Sequence, residues 1–345
     1  MSDVGEASFV KALDEVIAAH QGLGESPYRE KFRLLRSIGD DAAAWECFGR
    51  VMVFTSDALV DGVHFDIDLT EWRDLGWKSI AVNLSDIAAM GCAPLYSVVT
   101  LGIHNDLPVE GLLDMYRGML ELSQLCGGEI VGGDTVNSPV FFVSVAMVGV
   151  MPVSNTGFLP ERTILTRSAA KSGDKIAVTG NLGCSAGGLR IIHLKEGIGD
   201  QVSAHLINSH VRPIPRVSEG MLLADHGVIA AIDISDGLVN DLGKICQASG
   251  VGALVRSGSV PIDEFLRARH PEDFMSLALS GGEDYELLFT ADSEVMDNVV
   301  SDPDLSATVI GEIVGGSSDV KVIDDCGVEI QLDLGGWDHF SQDSK

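Results

Sequence analysis

The stretch VMVFTSDALVDGVHFDIDLTEWRDLGWKSIAVNLSDIAAMG, Val51 to Gly91, decides how the rest of the chain is read. Val51-Met52-Val53-Phe54 is an apolar, strand-like run that ends in Thr55-Ser56-Asp57. Asp61 and His64 come next. From Ser79 to Met90 the spacing predicts a helix, with Ile80, Leu84 and Ile87 on one face of a 3.6-residue period. Asn83 and Asp86 stand three residues apart on another side. The remaining surface is mostly Ala, Val and Ser, which predicts a helix buried nearly all round. Asp86 is the one charge inside it. A buried carboxylate costs several kcal/mol unless it is paired or holds a metal. By itself Asp86 reads as a cap or half of an ion pair, so the rest of the chain has to decide.

The 345-residue chain exceeds one typical domain, and two domains are the default expectation. Apolar residues make up 46%, ample for a sizeable core. Lys and Arg number 23 against 51 Asp and Glu, and the resulting formal charge of −28 argues against nucleic acid and anionic membranes as partners. Small anionic ligands remain compatible with it if cations intervene. The N-terminal stretch has no basic segment and no long apolar block, so no secretory signal is expected. The longest apolar run, Val140 to Val153, is too short to span a bilayer and reads as a buried strand. The scattered cysteines Cys47, Cys92, Cys126, Cys184, Cys246 and Cys326 form no C-x-x-C pair, which suits reduced thiols and a cytoplasmic location.

Residues 8–21 carry Phe9, Leu13 and Ile17 at helical spacing. Ile38-Gly39-Asp40-Asp41-Ala42 reads as a turn. Gly91 closes the central helix, and a strand follows Pro94 from Leu95 to Gly102. Residues 109–126 predict an amphipathic helix stopped by Gly127-Gly128. Gly132-Gly133-Asp134-Thr135 then precedes an apolar strand over 140–151. Glycines before an Asp at a strand end allow a ligand close to the backbone, or simply a turn. Composition shifts to Pro, Ser, Asn and Gly from Met151 to Pro160, which places a boundary between an N-terminal domain, 1–152, and a C-terminal domain, 153–345.

The second half opens with a strand, Lys175 to Thr179, and the loop Gly180-Asn-Leu-Gly183-Cys-Ser-Ala-Gly187-Gly188 before a helix from about Leu189. That loop could hold an anion at the helix N-terminus or serve tight packing, and it matches neither nucleotide-loop pattern. Arg212-Pro213-Ile214-Pro215-Arg216 is a rigid basic connection. A strand over Val228–Ile232 ends in Asp233-Ile234-Ser235-Asp236-Gly237, where Asp236 is placed to cap the next helix. Ser280-Gly-Gly-Glu283-Asp-Tyr-Glu286 leads into the strand Leu287-Leu288-Phe289, and strands with a turn at Asp325 fill 308–334.

Asp57, Asp134 and Asp233 thus each fall at or just past a predicted strand end, with Asp41 in a turn and Asp86 on the buried helix. Many Asp with few cationic neighbours point to a hard cation held by oxygen, and Mg²⁺ in particular takes a few carboxylates plus substrate phosphates. Zinc spacing, an EF-hand loop and a G-x-S-x-G elbow are all missing from the sequence. From the residues alone, the chain reads as a metal-dependent enzyme acting on phosphates.

The same blocks, in the same order, resemble the thiamine-monophosphate kinase family of the aminoimidazole-ribonucleotide-synthetase-like superfamily. They are Ile38–Ala42, Thr55–Asp57, Asp61–Phe65, Ala81–Gly91, Gly132–Thr135, Ile232–Gly237 and Ser280–Leu287. The resemblance implies an α/β (α+β) chain of two domains, an N-terminal mixed sheet with helices that pairs with a second subunit, and a C-terminal α/β domain. It implies transfer of the ATP γ-phosphoryl group to thiamine monophosphate, giving thiamine diphosphate. By the same resemblance Asp41, Thr55, Ser56 (through its backbone), Asp57, Asp86, Asp134, Asp233 and Asp236 would hold several Mg²⁺ ions. Tyr116, Gly133, Asp134, Arg167 and Ser235 would contact ATP, and His64, Glu283 and Trp337 the thiamine phosphate. No general base is required, because a phosphate acceptor is already ionised near neutrality. Two rivals stand beside this reading: another ATP-using synthetase of the superfamily, and a non-catalytic acidic metal-binding scaffold.

Overall fold

The computed structural model describes residues 6–20, 32–152, 163–195 and 199–330. The expected boundary segment over 153–162 and Trp337 lie outside the described residues.

The first half holds α1 (Glu6–His20), β1 (Phe32–Arg36), β2 (Ala43–Cys47), β3 (Arg50–Val60), α2 (Trp72–Ala89), β4 (Ala93–Ile103), α3 (Val109–Cys126), β5 (Glu129–Asn137) and β6 (Phe142–Val150). Its strands form one mixed sheet in the order β1-β2-β3-β6-β4-β5, antiparallel except for the parallel pair β4–β5. One face is covered by α2 and α3. On β3 the side chains of Val53, Thr55 and Leu59 turn inward, while Phe54 and Ser56 turn to the uncovered face, as a two-residue period demands.

The second half holds β7 (Lys175–Thr179), α4 (Cys184–Leu194), α5 (Gln201–Val211), α6 (Val217–Asp225), β8 (Ala230–Asp233), α7 (Leu238–Ser249) and β9 (Gly252–Arg256). It continues with α8 (Glu264–Arg269), α9 (Phe274–Ser280), β10 (Leu287–Ala291), α10 (Ser293–Ser301), β11 (Ala307–Val314) and β12 (Val320–Ile323). The sheet order is β12-β9-β11-β7-β10-β8, with β12 parallel to β9 and the other pairs antiparallel.

Several elements depart from the sequence reading. The central helix begins at Trp72, seven residues before the expected start at Ser79. Gly76 hides the extension in the pattern. It sits where α2 crosses α3, and a Cβ there would lie 1.8 Å from the Met115 carbonyl oxygen. Gly118 on α3 answers it, with a Cβ position 1.9 Å from the Arg73 carbonyl oxygen. The helix expected from Leu189 starts at Cys184 for the same kind of reason, since Gly188 lets α4 touch the Leu206 carbonyl of α5. Thr55 and Asp57 lie within β3, and Asp134 within β5, so neither Asp stands at a strand end as expected. Asp233 does end β8. Helix α1 is present, but its Leu13 and Ile17 are exposed.

The largest apolar core ignores the division of the chain. It runs from Ile80, Leu84 and Ile87 of α2 into Leu223 of α6, Ala231 of β8 and Phe289 of β10. Gly220 of α6 seats against the α2 backbone, its Cβ position 2.1 Å from the Ala88 oxygen. The basic connection clamps the same contact. Trp77 Nε1 donates to the Pro213 carbonyl at 2.8 Å, Arg212 pairs with Asp74, and Arg216 meets both oxygens of Glu286 at 2.5 and 2.6 Å.

Gly118→Ala should therefore force α2 and α3 apart and lower stability by about 1–3 kcal/mol. Urea unfolding measures it; an unchanged midpoint would mean that the close crossing is not required.

Candidate active site

Helix α2 carries the site. Of its central residues from Leu75 to Ala89, only Asp86 is not fully buried. The Thr55 hydroxyl of β3 donates to Asp86 Oδ2. Asn83 sits one turn earlier and accepts from the Asp57 backbone N–H at 3.2 Å, which fixes helix to strand. Ser85 Oγ donates to Asp233 Oδ2 at 2.7 Å, which fixes the helix to β8 of the second half. The turn before β2, with Gly39 at φ 110°, delivers Asp40 and Asp41.

The outcome is a nest of carboxylates. Oxygens of Asp41, Asp86 and Asp233 all lie within 4.8 Å of one another. Asp57 is close enough that its charge, after burial, raises the Asp86 carboxyl well above its ordinary range, with Asp233 and Asp41 adding to the effect. Burial, then Asp41 and Asp241, raises Asp233 likewise. Asp57 is itself raised by burial and by Asp236 and Asp41. Arg167 answers part of this charge: it donates from Nη2 to Asp41 Oδ1 at 2.6 Å and from its backbone N–H to Asp40 Oδ1 at 3.0 Å. Burial still lifts Asp40 to about 6.

Two polar atoms are left over. Asp41 Oδ2 and Arg167 Nε are buried without a hydrogen-bond partner. An orphaned carboxylate oxygen among three acids fits a divalent cation, and an orphaned guanidinium N–H beside it fits an anion bound with that cation. The donor set is all oxygen, as Mg²⁺ requires.

Other expected site residues are placed differently. Asp134 lies on exposed β5 and lines a cleft of about 550 Å³ with Gly133 and Tyr116. Gly133 is required there, since a Cβ would lie 1.9 Å from the Val99 carbonyl oxygen. Register pairs Asp57 with Val145, Val145 with Val99, and Val99 with Gly133. That row spans three strand spacings, so Gly133 stands roughly 14 Å from Asp57. Within one chain the structure does not bring Asp134 to the Asp41–Asp86–Asp233 group. Ser56 points to the open face. Asp236 is paired with Lys244 at 2.5 Å and does not cap α7, whose N-cap residue is Gly237. Asp241 Oδ2 accepts the N–H groups of Ser235, Asp236 and Gly237 at 3.1, 2.9 and 3.0 Å.

His64 accepts the Val60 N–H on Nδ1 at 3.1 Å, so in the neutral ring the hydrogen sits on Nε2. His64 also lies near enough to Glu283 to favour its ionised form. Glu283 follows Gly282, which packs against the Ser235 carbonyl, and its own φ of 65° turns the side chain inward. The glycine-rich loop before α4 is filled from within: Asp284 accepts from the N–H of Gly183 at 2.7 Å and of Ser185 at 3.2 Å. Sequence reasoning passed over Lys78, Ser85, His210 and Asp241. The only signal for Lys78 was a charge seven residues before Ser85 on one face of an apolar helix.

Asp86→Asn removes one like charge from the nest. In metal-free protein the variant should melt roughly 2 °C or more above the parent. The rise in melting temperature that Mg²⁺ gives the parent should shrink or vanish in it. An unaltered Mg²⁺-dependent rise would remove Asp86 from the ion site.

Known proteins resemble this chain over most of its length. Residues 39–151 match the N-terminal domain of AIR synthase related proteins, and residues 171–324 their C-terminal domain. Thiamine-monophosphate kinase of Salmonella typhimurium is 37% identical over 88% of this chain and 91% of its own length. The Bacillus subtilis enzyme is 34% identical over 88% and 93%. The solved structure of AaThiL complexed with AMPPCP and TMP superimposes with a TM-score of 0.83, at 30% identity, over 98% of each chain. The chain belongs to the thiamine-monophosphate kinase family.

Proposed function

We propose that this protein transfers the γ-phosphoryl group of ATP to thiamine monophosphate, giving thiamine diphosphate, with Mg²⁺ ions as cofactors. The observation that carries the reading is the nest of Asp41, Asp86 and Asp233, with its orphaned oxygen, beside the orphaned Arg167 N–H. Both substrates are polyanions, and a chain of formal charge −28 offers few cations of its own. Asp41, Asp57, Asp86 and Asp233, with Thr55 and the Ser56 backbone, are the residues that would hold Mg²⁺; Asp134 and Asp236 would hold further ions, Asp236 after releasing Lys244. When bound, Mg²⁺ neutralises and aligns phosphate oxygens.

The protein groups do the rest. Arg167 offers its free Nε–H to a phosphate oxygen, and Ser235 stands at the strand end beside Asp233. Glu283, an anion under the site, attracts the positively charged thiazolium, and His64 presents Nε2–H. Trp337 is assigned to the same substrate. The acceptor phosphate is ionised near neutral pH, so no residue need take its proton. Binding and alignment are the work the chain performs.

We further propose a homodimer formed through the uncovered sheet face, where Phe54, Tyr96 and Val98 are exposed on β3 and β4. With a two-fold pairing, the cleft of Tyr116, Gly133 and Asp134 in one protomer completes the carboxylate nest of its partner. The roughly 14 Å separation within one chain supports this. Domains divided at 152/153, a cytoplasmic location consistent with six free thiols, and no nucleic-acid partner complete the reading. Among the described residues no helix is long and apolar enough to cross a membrane.

Incubation with ATP, Mg²⁺ and thiamine monophosphate should yield thiamine diphosphate. No product, with turnover of an amidine purine precursor instead, would favour the rival synthetase; Mg²⁺ binding without any turnover would favour the scaffold. Val98→Asp should give a monomer by light scattering and lose most activity. Co-expressed Asp86→Asn and Asp134→Asn chains, each inactive alone, should recover about a quarter of parental activity if the site is shared between protomers, half of the statistically mixed pairs' sites being intact. No recovery would place the whole site in one chain.

A further inference from the structure

Beneath the carboxylate nest lies a second buried network that the proposed chemistry does not use. Lys78 of α2 is only 4% exposed. Its Nζ donates to Glu283 Oε1 at 2.8 Å and stands 3.3 Å from His210 Nε2. His210 of α5 is buried too, its Nδ1 lying 3.0 Å from Ser185 Oγ and 3.4 Å from Glu283 Oε2. Lys78 and His210, one from each half of the chain, therefore meet on one glutamate, with Ser185 behind His210.

The chemistry fixes the proton positions. An ammonium has three donors and no acceptor, so His210 Nε2 must accept from Lys78. Burial, then the Lys78 charge, lowers the His210 pKa to about 3, and the ring is neutral at working pH. Its single hydrogen must then sit on Nδ1, which points toward Ser185 and Glu283. Lys78 thus grips the Glu283 carboxylate twice, directly and through the tautomer it imposes on His210. Glu283 needs such a grip. Its backbone is held at φ 65°, a region a non-glycine residue seldom occupies, and its carboxylate would otherwise be free to turn. Against the upward push of burial, the Lys78 ammonium keeps the Glu283 carboxyl below its ordinary value.

We infer that Lys78, with His210 as its relay, is the positioning residue that holds Glu283 ionised and oriented toward the cationic ring of the acceptor substrate. The inference rests on the kinase reading and on Glu283 as the residue that meets that ring. Lys78 itself is placed behind Glu283. Its removal acts on acceptor binding and leaves the nucleotide side untouched.

A double-mutant cycle tests this with steady-state kinetics on thiamine monophosphate and ATP. Glu283→Gln should raise KM for thiamine monophosphate about tenfold or more and change KM for ATP less than about twofold. Lys78→Met should give the same split. In the double variant the two effects should fail to add, because Lys78 has nothing left to hold. Additive effects, or a loss confined to kcat or to KM for ATP, would overturn the role assigned to Lys78 while leaving Glu283 as a substrate contact. If Glu283→Gln binds thiamine monophosphate as the parent does, both assignments fall. Should Lys78→Met not fold, Lys78→Gln, which keeps a donor and loses the charge, carries the same cycle.

Discussion

Repulsion between carboxylates is the constraint to which this fold answers. Two unit charges 4 Å apart repel by about 4 kcal/mol at an effective dielectric near 20. Asp41, Asp86 and Asp233 bring three such groups within 4.8 Å, Asp57 adds a fourth nearby, and Arg167 pairs with Asp41. A whole domain is stable by only about 5–15 kcal/mol. The nest persists because burial and neighbouring charge push the carboxyls of Asp57, Asp86 and Asp233 toward their neutral forms, and because each is carried on an element that is itself locked. Asp57 is held in the middle of a paired strand, Asp86 on a helix buried along its length, and Asp233 at the end of a strand in the second sheet.

Helix α2 is the element that makes those locks common property. Its backbone touches α3 through paired glycines and α6 through Gly220, so three helices approach closer than side chains normally allow. The same helix sends Asn83 to β3, Ser85 to Asp233 and Lys78 to Glu283. The continuous core from Ile80 to Phe289 means that neither sheet can shift without repacking the other. Relative movement of the two halves would dismantle the acidic nest and the grip on Glu283 together.

Much of this was legible in the sequence where local pattern dominates. The amphipathic helix over 109–126 and the strand over 175–179 stand where periodicity and flanking glycines put them. Asp86 was visible as a lone charge in an apolar helix. What pattern could not show was decided by tertiary approach. Gly188 read as part of a loop and Gly76 fell outside the expected helix, yet each lies inside a helix, at a crossing that only a missing Cβ permits. Asp134 read as a strand-end residue because Gly132 and Gly133 precede it, whereas the pair continues the strand beside Val99. Lys78 and His210 are 132 residues apart, and nothing short-range marks them as partners.

The turn between β7 and α4 has the backbone of a phosphate cradle, with glycines at positive φ and N–H groups gathered at a helix start. Asp284 fills it with the chain's own carboxylate. Burial raises that carboxyl to about 7, so it sits there at an energetic disadvantage as an anion. The N–H groups that an anion would need at this helix start are therefore spent on the chain's own side chain, one position from Glu283 in sequence.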